Sequence, residues 1–446
     1  MPSAHQVILD NQTLRDLEIF TDSQGGTGLF GLLDQTRTHL GSRALRDRLR
    51  CSSTDVELIR EIQRAVGFLG QCPVGFPIDG ELMNGVDRYL RSRIAVVEWD
   101  SMGSKVNSVI SVFKNRDVLG ELAMGTQFAF RFMNDLSEYC RQVNSLGPGP
   151  YLKGYTDKAL RATERLKESG LGGATVLPSL AVLRDDAVMR NQGRESMQGL
   201  VDVAAELDAM LSMAEFGTSP KFTVPEITAD GPRFDAKGLF HPRVDQAVGN
   251  PVSTDRSCNV VYLTGPNMAG KTTFLRSVGI AQILAQAGMR VPATHLCISP
   301  VECLFTGINT TDVLTEGVSY YLAEVRRIKE AAQHLAKGAR SLMLFDEVFK
   351  GTNVMDATEA TRMVVESCVG IKSSMFIFSS HLSELSSGLA SHGVMQRSFA
   401  GTILDGRPCY SYEIQEGHSD QRMGLHLLEQ ERVMKLMTAA ASLGEV

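Results

Sequence analysis

The chain has no surplus of positive charge: 45 lysines and arginines stand against 51 aspartates and glutamates, for a formal net charge of −6. That balance excludes the global basic field that advertises a polyanionic partner, so any nucleic-acid contact must come from a local basic face. Aromatic residues are scarce at 7 %, with a single tryptophan, Trp99, and they form no cluster with basic residues that would stack a single strand. The eight cysteines (Cys51, Cys72, Cys140, Cys258, Cys297, Cys303, Cys368 and Cys409) include no C-x-x-C pair. Cys297 and Cys303, with five residues between them, read as buried thiols rather than a metal pair. Scattered free thiols suit a reducing compartment. The opening residues, MPSAHQVILD, have neither a basic n-region nor an apolar h-region, and nowhere do eighteen apolar residues run together. A secretory leader and a membrane-spanning helix are therefore not expected, and a cytoplasmic location is. Internal repeats and low-complexity tracts are absent as well.

What the sequence does contain is ordinary globular material. Its 446 residues, 43 % hydrophobic and 22 % charged, leave room for two or three domains with their own cores. Apolar residues recur at three- and four-residue spacing through residues 29–215, as in DVELIREIQRAVGFLG and SMQGLVDVAAELDAMLSMAEF, which predicts helices. CPVGFP at 72–77 and SLGPGPYLKG at 145–154 break the pattern. A proline- and glycine-rich stretch at 217–238 is the expected domain boundary. From about residue 258 short apolar runs (NVVYLTG, SLMLFDE, SSMFIFSSH) alternate with helical segments, which argues a mostly parallel sheet in an α/β domain. The expected division is a helical domain over 1–218 and an α/β domain over 219–446.

Within the α/β half, VVYLTGPNMAGKTT runs from an apolar strand into a glycine loop. Gly265, Gly270, Lys271 and Thr272 fit G-x-x-x-x-G-K-[ST] without a gap. The spacing is mechanical: two glycines let backbone N–H groups wrap the α- and β-phosphates, Lys271 reaches the β/γ oxygens, and Thr272 offers a hydroxyl to Mg²⁺. The next residues, FLRSVGIAQILAQAG, read as a helix whose positive end faces the same phosphates. Nucleoside triphosphate binding follows. Hydrolysis needs more, and SLMLFDEVFKGTN at 341–353 offers it. Asp346 and Glu347 close an apolar strand, where one acid can hold Mg²⁺ and its neighbour can orient or deprotonate water. A third strand ends at His381, on the side where α/β ligands gather, so it is read as a γ-phosphate contact. Between these lies TGINTTDVLTEGVSYYLAEVRRIKEAAQ, residues 306–333. From spacing alone, Thr315 or Ser319 caps a helix beginning near 319, and Glu324, Arg326 and Arg327 form its solvated face.

GPNMAGKTTFLR, EGVSYYLAE, LFDEVFKGTN and SSHLSEL together resemble the ATPase domain of MutS, the DNA mismatch-repair family. ILDNQTLRDLEIF, GLFGLLDQTRTHLGSRALRDRLR and AELDAMLSMAEF resemble the start and end of the MutS core, or lever, domain. FTVPEI and HPRVDQAVGNP resemble the entry into the ATPase domain. The resemblance implies an α/β P-loop NTPase domain of ABC type preceded by an all-α lever domain, with ATP and Mg²⁺ as substrate and cofactor. It implies that Gly265, Pro266, Asn267, Met268, Ala269, Gly270, Lys271, Thr272 and Thr273 form the phosphate loop. Asp346 would assist Mg²⁺, Glu347 would be the catalytic carboxylate, and His381 would sense the γ-phosphate. Ser319 matches the family's signature serine, which reaches the nucleotide of the opposite subunit, so a homodimer would be needed for full hydrolysis.

The departures from the family pattern carry expectations of their own. The lever match starts near the first residue, so the wedge-bearing mismatch domain and its neighbour are expected to be missing, and the DNA clamp reduced or absent. AVGNPV stands where the family has an adenine-stacking aromatic. FKGTN replaces Gly-Arg-Gly-Thr-Ser, and EGHSDQRMGL departs from the late ATPase signature. Two functions are then expected to compete: a MutS-like ATPase that engages DNA in repair or recombination, and a dimeric ATPase that acts on a protein partner with DNA binding lost. A general ABC-type ATPase fits the N-terminal half less well. Candidate phosphate contacts are Arg43, Arg46, Arg48 and Arg50, with Arg88, Arg91 and Arg93 nearby; Arg43, Arg46 and Arg50 share a helical face.

Overall fold

Strands buried on both faces cannot alternate polar and apolar residues, and the three apolar runs of the C-terminal half settle as parallel neighbours in one sheet. A computed structural model describes residues 6–96, 116–173, 178–308, 320–381, 383–404, 407–419 and 432–437. Ten strands occur among them: Glu226–Ile227 (β1), Arg233–Leu239 (β2), Asn250–Asp255 (β3), Val260–Thr264 (β4), His295–Ile298 (β5), Cys303–Gly307 (β6), Ser341–Asp346 (β7), Met375–Ser380 (β8), Met395–Leu404 (β9) and Arg407–Glu416 (β10). Six of them form a sheet in the order β10-β9-β4-β8-β7-β6. β6, β7, β8, β4 and β9 run parallel, and β10 closes the edge as the antiparallel arm of a hairpin with β9.

One face of this sheet carries Val260, Tyr262, Phe305, Met343, Phe345, Phe376 and Phe378, packed with Val365 and Cys368 of the Val354–Val369 helix. The rings of Phe345 and Phe378 stack at 5.1 Å. The Lys271–Gln286 helix covers the other face and is buried along most of its length, which explains its weak amphipathicity.

The division into compact units is not two consecutive stretches. One unit gathers Met1–Gly31, Leu49–Ile59 and Gly217–Val446; the other holds Leu32–Arg48 and Arg60–Phe216. The first segment joins the α/β unit through backbone and charge. Ile8 N–H donates to the Glu302 carbonyl at 2.8 Å, and Leu304 N–H returns to Ile8 at 3.3 Å. Asp10 caps the Asn11–Asp16 helix through the Thr13 N–H at 2.6 Å. The buried Asp16 carboxylate accepts from the Thr306 hydroxyl at 2.7 Å and the Ile308 N–H at 3.0 Å. Residues 49–59 are tied in by Gln286, whose amide donates to the Ser53 carbonyl at 2.8 Å.

A second sheet, absent from the sequence reading, belongs to the same unit in the order β1-β5-β2-β3. β2 pairs antiparallel with both β3 and β5. Its strands are short, and β1 and most of β2 lie within the Pro-Gly stretch at 217–238 that reads as a boundary.

The other unit carries only helices among its described residues, including Gly80–Leu90, Arg116–Ser145, Pro150–Glu168, Pro178–Ala187 and Arg194–Glu215. The 145–154 breaker is a turn followed by a helix with Pro150 in its first turn, where a missing N–H costs nothing. Buried carboxylates tie the helices together. Asp208 accepts from the N–H groups of Arg37 and Thr38 at 3.0 and 2.9 Å. Asp186 accepts from Arg190 at 2.5 and 2.7 Å and from the Tyr89 hydroxyl at 2.9 Å.

Candidate functional site

The phosphate-binding pattern occupies the turn from β4 into the Lys271–Gln286 helix. Gly265 sits at φ +145°, and a Cβ there would lie 2.7 Å from the Phe399 carbonyl oxygen, so no other residue fits. Gly270, at φ +105°, launches the helix. The Lys271 side chain folds back into the loop: Nζ donates to the carbonyls of Gly265 at 2.8 Å and Pro266 at 3.1 Å. The Lys271 side chain is 5 % exposed. Burial lowers its pKa, opposed by the nearby charges of Glu347 and Asp346. The first N–H groups of the helix have no intrahelical partner and give the cleft a positive rim.

β7 delivers the two acids. Asp346 is held from both sides: its Oδ2 accepts from the Thr272 hydroxyl at 2.5 Å, and its Oδ1 accepts from the Ser379 hydroxyl. Glu347 follows at φ +49°, with its N–H donating to the Ser379 carbonyl at 2.8 Å. Two ammonium groups and an imidazole surround its carboxylate: Lys350 Nζ at 2.6 Å, Lys271 Nζ at 3.6 Å and His381 Nδ1 at 3.8 Å. Burial alone would raise its pKa. The Lys350 hydrogen bond and the charges of Lys350, Lys271 and His381 outweigh that and hold it below the ordinary glutamate value. Glu347 is thus an ionised carboxylate inside a cluster of positive groups.

These residues line a cleft of about 670 Å³. Asn267, Met268, Gly270, Lys271, Thr272, Thr273, Asp346 and Glu347 share the lining with residues of the 239–250 segment and with Tyr412. The Arg243 guanidinium anchors the 239–250 wall to Glu18 at 3.2 Å and to Asp22 at 2.7 Å; Arg276 meets the same Glu18 at 3.0 Å. His241 in that wall is buried, and burial followed by the charges of Arg276 and Arg243 lowers its pKa to about 4. It faces the cleft as a neutral imidazole. Gln246, Met268, Glu347 and Tyr412 all line the cleft with positive φ. Such backbone costs roughly 1–2 kcal/mol per residue and tends to persist where function requires it.

The cleft therefore brings together Lys271, Thr272, Asp346 and Glu347, with Gly265 and Pro266 supplying carbonyls beneath the lysine. Ala269 is buried behind the loop. His381 stands at the end of β8, exposed, beside Glu347. Ser319 and Thr315 lie outside the described residues, as do Trp99 and most of EGHSDQRMGL.

The solvated face drawn for Glu324, Arg326 and Arg327 needs correction. Arg326 is exposed, but Glu324 and Arg327 are buried, at 5 % and 6 % exposure, because that side of the helix packs on β6 and on the turn after Glu347. The arginine candidates are also largely engaged. Arg48 pairs with Glu206 at 2.7 Å, Arg91 with Asp87 at 2.9 Å, and Arg50 lies 4.9 Å over the Phe20 ring. Lys350, His241 and Tyr412 are among the cleft residues that the sequence does not single out. A lysine three residues after Glu347 was a usable signal. Tyr412 had none, since it reaches the cleft only through the β9–β10 hairpin.

Two family profiles match this chain: MutS domain III over residues 12–102 and MutS domain V over residues 261–443. The chain belongs to the MutS family. The domain V match covers the phosphate-loop turn, both acids and His381. The DNA mismatch repair protein MutS of Listeria monocytogenes is 29 % identical over 255 residues, 56 % of this chain and 29 % of that one. Those of Bacillus cytotoxicus and Brevibacillus brevis are 30 % and 31 % identical over 240 and 242 residues, 52 % of this chain and 26 % and 28 % of theirs. The match thus spans less than a third of the length of these MutS relatives. Among the described residues of this MutS-family chain, no helix is long and apolar enough to cross a membrane.

Proposed function

We propose that the chain is a Mg²⁺-dependent ATPase of MutS type that works as a homodimer on DNA in mismatch repair or a related repair process. The observation that carries this reading is the meeting of Lys271, Thr272, Asp346 and Glu347 around one cleft at the carboxyl ends of parallel strands. The donor set fits the groups it would receive. A buried ammonium and a helix N-terminus face the cleft, which suits a triphosphate, and a hydroxyl and a carboxylate share one point, which suits a magnesium ion bound through few protein ligands plus phosphate. Mg²⁺, when bound, neutralises developing charge on the phosphate oxygens. Thr272 and Asp346 would hold it. Glu347, ionised and backed by Lys350 and Lys271, would orient and accept a proton from the attacking water, and Lys271 and His381 would stabilise charge on the transferring phosphoryl group. Tyr412 offers the base a flat aromatic face.

Dimerisation is supported by exposed apolar side chains near the site: Met268 at 77 %, Val354 at 68 % and Met355 at 83 % exposure. Ser319 would act across that interface on the partner's nucleotide. DNA as the ligand rests on the names of the relatives. The second reading, a dimeric ATPase acting on a repair-protein or other protein partner, is favoured by one specific observation: Arg48 and Arg91 are already paired with acids of this chain. ATP turnover per chain, measured against protein concentration with duplex, branched and single-stranded DNA at fixed salt, separates the two. A per-chain rate that rises with concentration and shifts with one DNA form supports the first reading. Turnover indifferent to every DNA supports the second, and no turnover refutes both.

A further inference from the structure

We propose that Glu324 is a positioning residue that clamps the turn carrying Glu347. Its buried carboxylate, on the Tyr320–Ala336 helix, accepts from the Lys350 N–H at 3.2 Å and the Gly351 N–H at 3.1 Å. These two amides close a turn in which Glu347 and Phe349 both adopt left-handed backbone, at φ +49° and +65°. Neither residue favours that conformation, so the turn holds its shape only while something outside it supplies the restraint. The same turn aims Lys350, whose ammonium lies 2.6 Å from the Glu347 carboxylate.

The helix that supplies the clamp is itself fixed. Arg327, one turn further on, donates to the Thr306 carbonyl at 2.7 Å and to Asp10 at 2.6 Å, and its guanidinium lies 3.6 Å over the Phe305 ring. Residues three apart share a helix face, so Arg327 seats that face on β6 while Glu324 reaches from it to the turn. A shift of the helix would move the backbone from which Glu347 and Lys350 project. Position of the helix and geometry at the carboxylate become one variable. The inference rests on reading Glu347 as the hydrolytic carboxylate, and its test is built to separate the two.

The experiment compares the full chain with its Glu324→Gln and Glu324→Ala variants in three readouts: thermal unfolding, amide hydrogen exchange over residues 346–352, and steady-state ATP turnover. Loss of hydrogen bonds to a charged acceptor is expected to speed exchange at Lys350 and Gly351 by about 10- to 100-fold in Glu324→Ala, and by less in Glu324→Gln, which keeps one acceptor oxygen. Exchange in β7 stays unchanged. Turnover is expected to fall about tenfold or more in kcat with KM within about threefold of wild type, the pattern of a group acting through geometry rather than nucleotide binding. Should Glu324→Ala fail to fold, Glu324→Gln carries the comparison. Unchanged exchange at Lys350 and Gly351 in a folded variant overturns the clamp, as does unchanged kcat in an active chain. A wild-type chain without turnover whose exchange still responds to Glu324 removes the hydrolytic reading and leaves the clamp standing.

Discussion

Lys271→Met keeps the length of the stem and removes the ammonium. In the native loop that group donates to the carbonyls of Gly265 and Pro266 at 2.8 and 3.1 Å and lies 3.6 Å from Glu347. A unit charge at that separation feels about 5 kcal/mol at an effective dielectric of 20, which sets the scale for one phosphate charge brought up to the lysine. Desolvation of a buried ion offsets a good part of that. A net loss of about 3 kcal/mol in ATP binding, roughly 150-fold in Kd, is therefore expected. The fold should suffer less: two loop carbonyls lose a donor, at about 1–3 kcal/mol. Equilibrium titration with a fluorescent ATP analogue, alongside circular dichroism and a thermal midpoint, measures both. A folded Lys271→Met chain that binds ATP within threefold of wild type would refute the assignment of this loop to phosphate.

Three further outcomes are expected. His241 is neutral when buried, with its pKa lowered to about 4, whereas the unfolded chain protonates it near 6.5. The unfolded state thus binds more protons between those values, and stability is lost as pH falls through that window, by about 3 kcal/mol at most. His241→Gln should flatten the slope of denaturation free energy from pH 6.5 to 4, and an unchanged slope contradicts the burial argument. Tyr412→Ala should weaken binding of ATP about 5- to 30-fold while Tyr412→Phe stays near wild type, because stacking needs only the ring; equal losses in both would point to the hydroxyl instead. Met355→Asp, at a side chain 83 % exposed, should leave the thermal midpoint in place and abolish the rise of per-chain turnover with concentration. A concentration dependence that survives it would move the interface elsewhere.

The residues that the sequence displays most openly are those whose spacing is itself the mechanism. Gly265, Gly270, Lys271 and Thr272 must follow one another at set intervals for a backbone loop to close around an ammonium, so the pattern is visible without any fold. Asp346 and Glu347 are visible because a fully apolar strand leads into them. What was hidden depends on partners distant in the chain. Glu324 and Arg327 look like any charged helix face, and only the approach of β6 and the 347–351 turn buries them. The Ile8–Asp16 segment pairs with β6 through a single bridge at Ile8 and a few side chains, which leaves no periodic trace. β2 and β3 are short and polar on alternate positions, so they read as loop, with Pro232 just before β2 and Pro251 inside β3. Tyr412 enters the cleft because a hairpin returns along β4's neighbour, a fact of topology that no local window contains.

The central claim is that Glu347 turns a nucleotide site into a hydrolytic one, and Glu347→Gln tests it most directly. The side chain keeps its size while losing a carboxylate that is flanked by Lys350, Lys271 and His381. ATP affinity and single-turnover hydrolysis would be measured on the same folded preparation with Mg²⁺ present. The account expects binding as tight as wild type or tighter, since one negative charge leaves the cleft, and hydrolysis slowed by about 10²- to 10⁴-fold. Hydrolysis within tenfold of wild type by a chain that binds ATP normally would contradict it.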